Sequence, residues 1–94
     1  MKIYKDKLVF IVNEPIELVM DGDFLTVELQ QGKLVYYFES SNGKYRSVYD
    51  IMLCETGADI EMDAPDWEYI KTIMLYNGEY VLHVYCRRKD WYTI

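Results

Sequence analysis

The sequence predicts an all-β protein, in which an antiparallel meander of about 6–8 short strands forms a small sandwich or barrel. Three observations indicate this class. Short apolar or alternating runs recur along the chain, turn residues separate them at roughly 8–12-residue intervals, and tyrosine is abundant, with ten residues among 94. Tyrosine suits half-buried sheet faces because its ring is apolar and its hydroxyl is polar. A β-rich α+β fold with one short helix is the alternative, and we expect residues 1–94 to form a single domain.

Four strands are predicted in the first half of the chain. Each is a run of apolar or alternating residues that ends at a turn signal. Asp21-Gly22 and Asn42-Gly43 are such signals, because Asp, Asn and Gly tolerate the positive φ angles that tight turns require. The predicted strands are residues 8–12, 16–20, 24–29 and 34–38.

Residues 69–86 predict a β-hairpin with Asn77-Gly78 as its two-residue loop. Folding the two arms together pairs apolar side chains on both faces of the hairpin, which is the arrangement that stabilises neighbouring strands. The predicted opposing pairs are Tyr76 with Glu79, Leu75 with Tyr80, Met74 with Val81 and Ile73 with Leu82.

Two further segments, residues 47–56 and 64–76, have features of both helix and strand. Ser47 and Asp50 resemble a helix-capping box, and the order Asp63, Pro65 is typical of a helix start. The same segments are rich in Ile, Thr, Val and Tyr, which favour strands. We therefore predict a strand in each segment, with a short helix as the alternative.

Acidic residues are concentrated in residues 47–70, which contain seven Asp or Glu and no Lys or Arg. This segment carries a charge of −7 and the rest of the chain carries +1, which gives the net charge of −6. Binding to DNA, RNA or an anionic membrane surface needs a basic patch, so this distribution argues against direct contact with nucleic acid or membrane. No apolar run approaches the ~18 residues of a membrane span.

No motif in the sequence indicates catalysis, a cofactor or a metal. The single histidine, His83, lies inside the predicted hairpin and is expected to be structural, and neither a P-loop nor a G-x-G-x-x-G nor a G-x-S-x-G pattern is present. Cys54 and Cys86 lack metal-ligand spacing, and the first residues do not form a secretory signal pattern. We expect a cytoplasmic, non-enzymatic protein with two buried, reduced thiols.

The acidic segment contains an alternating stretch. Asp59, Glu61 and Asp63 alternate with Ile60 and Met62, so a strand here would place three carboxylates on one face. The spacing partly matches the start of a calcium loop, but the following residues lack the glycine that such a loop needs. Two interpretations stay open: a solvated face that favours solubility, and a docking face for a basic partner.

The docking interpretation predicts that the acidic segment binds a basic site on a partner protein. A groove rich in Lys and Arg that otherwise holds phosphates would accept a row of carboxylates, which would act as a nucleic-acid mimic, while aromatic side chains would anchor the interface. The residues predicted to bind the partner are Tyr49, Asp59, Glu61, Asp63, Asp66, Trp67, Glu68 and Tyr69.

Three functions fit these features, and the sequence favours the first. The first is a small inhibitor of a basic partner such as a nuclease or another nucleic-acid-binding enzyme, in the class of immunity proteins and phage-encoded antagonists of host defence. The second is an assembly subunit that forms a homo-oligomer through edge strands, in which the apolar residues 8–12 are buried on both faces or covered by another subunit. The third is a small-ligand binder with a pocket lined by Tyr36, Tyr37, Tyr45 and Tyr80.

Overall fold

The computed structural model describes residues 1–61 and 66–94, and the fold is all-β, as predicted. Within these ranges the elements are β1 (Ile3–Lys7), β2 (Ile16–Met20), β3 (Gly22–Gln30), β4 (Lys33–Ser40), β5 (Tyr45–Glu55), β6 (Glu68–Leu75), a 3₁₀ turn (Tyr76–Gly78) and β7 (Tyr80–Thr93). The strands form two antiparallel sheets: sheet A in the order β1-β4-β3, and sheet B in the order β2-β5-β7-β6. No described residue lies in a helix that is long and apolar enough to cross a membrane.

The strand order departs from a simple meander. Among the described strands, only β3–β4 and β6–β7 pair directly with the next strand of the chain. The chain changes sheet at the β1–β2, β2–β3 and β4–β5 steps, and β7 lies between β5 and β6. One change occurs at Gly22, between β2 and β3. A Cβ atom on Gly22 would lie 1.8 Å from the carbonyl oxygen of Glu39, so only glycine fits at this corner. The Asp-Gly signal therefore marks a change of sheet and not a hairpin.

The apolar residues 8–12 do not form the strand that the sequence predicts, and β1 precedes them. The Leu8 amide donates a hydrogen bond to the Leu34 carbonyl of sheet A (3.1 Å), and the Asn13 amide donates one to the Leu53 carbonyl of sheet B (2.8 Å). The segment therefore crosses from one sheet to the other. Its two ends belong to different sheets, so its backbone cannot follow one strand partner along its length.

Alternate side chains of this crossing segment face solvent. Leu8 is buried, whereas Val9 and Ile11 are 72% and 59% exposed. The run is therefore not buried on both faces in the single chain, and the other expectation, cover by another subunit, stays a prediction.

The hairpin of β6 and β7 has the predicted register. Ile73 opposes Leu82, Met74 opposes Val81, and Leu75 opposes Tyr80. The loop is longer than predicted, because the strands end at Leu75 and resume at Tyr80, and the Glu79 amide bonds to the Tyr76 carbonyl at 3.2 Å.

The two segments with mixed signals form strands where they are described. Residues 47–55 belong to β5, and residues 68–75 belong to β6. The possible helix start at Asp63 and Pro65 lies outside the described residues. The predicted strand is thus confirmed for the central part of each segment.

The core lies between the facing sides of the two sheets. Sheet A contributes residues such as Phe24 and Val27, sheet B contributes residues such as Tyr49 and Ile51, and the rings of Phe24 and Tyr49 meet with centroids 5.7 Å apart. At one side of the sandwich the edge strands β3 and β6 lie together, linked by an ion pair between Glu28 and Lys71.

Candidate functional site

The outer face of sheet B, which points away from sheet A, is partly covered. Successive strand residues point to opposite faces, so the core residues Ile51 and Leu53 place Asp50, Met52 and Cys54 on the outer face. An uncovered outer face would leave these three side chains in solvent. All three are nevertheless buried, with at most 7% exposure.

The chain between β5 and β6 is termed the β5–β6 connection, and its described residues, 56–61 and 66–67, adjoin this outer face. At its start, the Thr56 hydroxyl lies 2.8 Å from Nε2 of His83 on the outer face of β7. At its end, Asp66 and Trp67 contact Arg87, also on the outer face of β7. The connection, which contains Asp59, Glu61 and Asp66 of the acidic segment, is therefore attached to sheet B at both ends.

Arg87 organises the second attachment. Its Nε donates to Oδ2 of Asp50 at 3.1 Å, and the two side chains are only 18% and 10% exposed. The guanidinium also lies 4.7 Å from the ring centroid of Trp67 and 3.8 Å from a carboxylate oxygen of Asp66. Burying a carboxylate is costly without a paired cation, so Arg87 compensates Asp50 and holds the end of the connection at the same time.

Two of the predicted carboxylates point into solvent from the connection. Asp59 and Glu61 are exposed and Ile60 is half-buried, which matches the predicted alternation. The described residues around them, 58–61, have no regular secondary structure, so the condition of a strand, under which the carboxylates would share one face, is not met in these residues. Asp63 lies outside the described residues.

Tyr69 lies beside the connection on the outer face of β6 and is 53% exposed. Its ring meets Tyr85 of β7 edge-on, with centroids 5.6 Å apart. The Tyr69 hydroxyl is 2.6 Å from Oγ1 of Thr72, which is 3.0 Å from Nδ1 of His83. His83 thus has a hydroxyl partner at each ring nitrogen, as a structural histidine requires.

Three of the residues predicted to bind the partner do not lie exposed on one common face. Tyr49 is 8% exposed and packs in the core, and Trp67 is half-buried against Arg87. Glu68 opposes Cys86, a core residue, so it lies on the opposite face of β6 from Tyr69. The physical reason is strand alternation, which separates adjacent residues onto opposite faces.

Sequence reasoning missed Tyr85 as a surface residue of this site. The available signal was the alternation of β7, in which Leu82, Val84 and Cys86 face the core and Tyr85 must face outward. The alternation predicts that Tyr85 faces outward, but it does not predict that the outer face of β7 adjoins the β5–β6 connection.

A depression of about 380 Å³ lies between the connection and the outer face of sheet B. It is lined by Cys54, His83 and Tyr85 from the sheet and by Asp59 and Ile60 from the connection. Cys54 and His83 oppose each other across the two strands, but burial raises the pKa of the Cys54 thiol. The protonated thiol is a poor nucleophile at neutral pH.

The described residues offer neither a metal centre nor the predicted tyrosine pocket. No group of three or more His, Cys, Asp or Glu side chains in residues 1–61 and 66–94 is arranged to hold a metal ion. Tyr36 is buried in the core, and the adjacent Tyr37 points to the opposite face of the same strand. The four predicted pocket tyrosines therefore do not line one cavity.

The basic residues of sheet B form ion pairs with acidic residues other than Asp59 and Glu61. Within the described part of the chain, neither of these two carboxylates has a basic partner, although sheet B carries five Lys or Arg side chains. The pairs are Arg46 with Asp21, Lys71 with Glu28, Arg87 with Asp50 and Asp66, Arg88 with Asp23 and Lys89 with Glu17.

Fold and site together define a small two-sheet β domain in which an acidic connection covers part of one outer face. The chain belongs to the DUF7352 family, described as a domain of unknown function, whose model matches residues 1–93. No curated protein and no solved structure matches the chain.

Proposed function

We propose that this protein is a non-enzymatic binding module whose acidic surface docks on a basic site of a partner protein. The acidic surface consists of Asp59, Glu61 and Asp66 on the β5–β6 connection, together with the adjacent Tyr69 and Tyr85. A site that otherwise holds nucleic-acid phosphates has the complementary charge. The partner class is therefore a nuclease or another nucleic-acid-binding enzyme, which docking would inhibit.

The observation that carries this proposal is the exposure of Asp59 and Glu61 without a basic partner among the described residues. Neighbouring like charges repel each other, and a mixed-charge surface would relieve that repulsion within the chain. Here the bases of sheet B are paired with other acids. A positively charged partner would supply the missing compensation and would be steered toward the surface by the same field.

The aromatic and apolar side chains beside the carboxylates support a protein partner. Tyr69 and Met74 lie on the outer face of β6 and are 53% and 66% exposed. Protein interfaces commonly combine a few aromatic or Met side chains at the centre with a charged rim. Tyr69 has a further advantage as an anchor, because its contacts with Tyr85 and Thr72 fix its orientation before binding.

The proposal is tested by capture from a lysate of the native host with immobilised wild-type protein and a double variant, Asp59→Asn with Glu61→Gln. We expect a basic protein to be retained by the wild type and released at about 0.5 M salt, where surface charges are screened. With that protein purified, the double variant should bind about tenfold more weakly, because rim charges contribute modestly to affinity, and its binding should depend less on salt.

The matched control is Asp6→Asn with Glu39→Gln, which removes two negative charges from sheet A, away from the connection. Neither carboxylate has an ion-pair partner among the described residues. This control should bind like the wild type. Equal binding by the Asp59/Glu61 variant and the control would contradict the proposed surface. Weaker binding by both would indicate an effect of net charge, which would also contradict the proposed surface.

A further inference from the structure

The four edge strands of the sandwich differ in how they resist pairing with another chain. An edge strand exposes unpaired backbone groups, and proteins protect such edges with lysines, bulges or neighbouring elements. β1 carries Lys5 and Lys7. β3 has a bulge at Leu25, β6 has one at Ile70, and these two edges are linked to each other through Lys71.

The edge strand β2 has none of these protections. Its sequence is Ile-Glu-Leu-Val-Met, without lysine, arginine or proline, and its pairing with β5 is regular along all five residues. Its outer edge has no strand neighbour among the described residues. Val19 on this strand is 50% exposed, although valine is normally placed in strands to pack against neighbours.

Other exposed apolar residues occur on the same side of the sandwich. The opposite side is closed by the contact of β3 with β6, so the edges β1 and β2 share this side. The crossing segment that joins β1 to β2 exposes Val9 and Ile11 here. The unprotected edge is therefore preceded in the chain by a segment that exposes apolar side chains.

The sequence of β2 is complementary to itself. In an antiparallel pair of two copies related by a two-fold axis at Leu18, Leu18 opposes its own copy, Ile16 opposes Met20, and Glu17 opposes Val19. No like charges meet in this register. The equivalent pair of β1 strands, with the axis at the central residue Lys5, would oppose Lys5 with Lys5, and like charges directly opposite are destabilising.

We propose that β2 pairs antiparallel with β2 of a second copy, with the two-fold axis at Leu18, so that the two copies of sheet B form one continuous eight-stranded sheet. A two-fold interface uses the same surface of both copies and therefore requires self-complementarity, which β2 has and β1 lacks. The backbone groups of the free edge supply the hydrogen bonds, and Val19 becomes covered.

The register is tested by two substitutions at one exposed position, Val19→Glu and Val19→Lys. Each removes the same contact with Val48, the neighbour of Val19 on β5, so both variants lose the same packing within the single chain. In the dimer each introduced charge faces Glu17 of the other copy, twice per interface. Sedimentation over a range of protein concentrations at about 20 mM and about 0.5 M salt measures the dissociation constant of the dimer.

We expect a concentration-dependent dimer for the wild type. Val19→Glu should raise the dissociation constant about tenfold at low salt, whereas Val19→Lys should leave it unchanged or lower it, and this difference should shrink at high salt. Circular dichroism should show that both variants keep the wild-type fold. A wild-type protein that stays monomeric at all concentrations would overturn the proposal, as would a dimer that responds equally to both substitutions.

Discussion

The guanidinium of Arg87 lies between the buried carboxylate of Asp50 and the end of the β5–β6 connection. Replacing Arg87 by Met should lower the free energy of unfolding by about 3–5 kcal/mol, because it leaves a buried carboxylate without its cation. The double variant Arg87→Met with Asp50→Leu should recover most of that loss, since no unpaired charge then remains. Urea unfolding of both variants measures the two values. A double variant no more stable than Arg87→Met would show that the ion pair is not the cause.

Because of Cys86, the free energy of unfolding should decrease at alkaline pH. Burial, and to a smaller extent the negative charge of Glu68, raise the pKa of the Cys86 thiol from 9.0 to about 11. The unfolded chain loses this proton at lower pH than the folded protein. The protonated Cys86 thiol therefore makes its full contribution to the free energy of unfolding below about pH 9. That contribution is lost as the pH rises from about 9 to about 11.

At about pH 10 this linkage should cost about 1.4 kcal/mol, relative to neutral pH, in the free energy of unfolding. Urea unfolding at the two pH values measures the loss, and Cys86→Val is the control because it removes this titration and keeps an apolar side chain in the core. The wild type should lose more stability than the control by that amount. Parallel pH profiles for the two proteins would refute the proposed linkage.

At the scale of elements, the corner between β2 and β3 decides how the chain divides between the sheets. Gly22→Ala should lower the free energy of unfolding by about 3 kcal/mol or more, because the new methyl group would meet the Glu39 carbonyl and the backbone must move. Gly32→Ala is the matched control. Gly32 has φ +78° and no atom within 4 Å of the added carbon, so only backbone strain of about 1 kcal/mol applies.

Thermal and urea unfolding of the two glycine variants compare these costs directly. The Gly32 variant should keep the fold and lose little stability. Similar losses in both variants would mean that the close approach at Gly22 is relieved by small shifts, and that the corner does not depend on glycine.

At the scale of the whole molecule, the two proposed surfaces occupy different parts of sheet B. The acidic surface lies at the outer face over β7 and β6, and the proposed dimer edge is β2, separated from β7 by β5. A two-fold axis perpendicular to the sheet would place both acidic surfaces on the same side. The two β7 strands would lie about 24 Å apart, from five spacings of ~4.8 Å. If both proposals hold, the dimer presents two docking sites to one side, and a two-fold partner would bind it with avidity.

The sequence by itself determined the features that depend on neighbouring residues. Asn77-Gly78 and the apolar runs around it are sufficient to set the register of the β6–β7 hairpin, because turn chemistry and side-chain alternation act within a few residues. The same local rules predicted β2 with its observed bounds and the all-β class. The excess of acidic residues in 47–70 was equally visible from sequence.

Only the tertiary structure decided which of those residues share a surface. Tyr49 and Tyr69 look alike in the sequence, yet one lies in the core and the other on the outer face, because that depends on which side of each strand meets sheet A. The pairing of Asp50 with Arg87 joins residues 37 positions apart and buries one carboxylate of the acidic segment 47–70. Sheet membership, the crossing at residues 8–12 and this ion pair all arise from contacts between distant parts of the chain, and no local pattern specifies them.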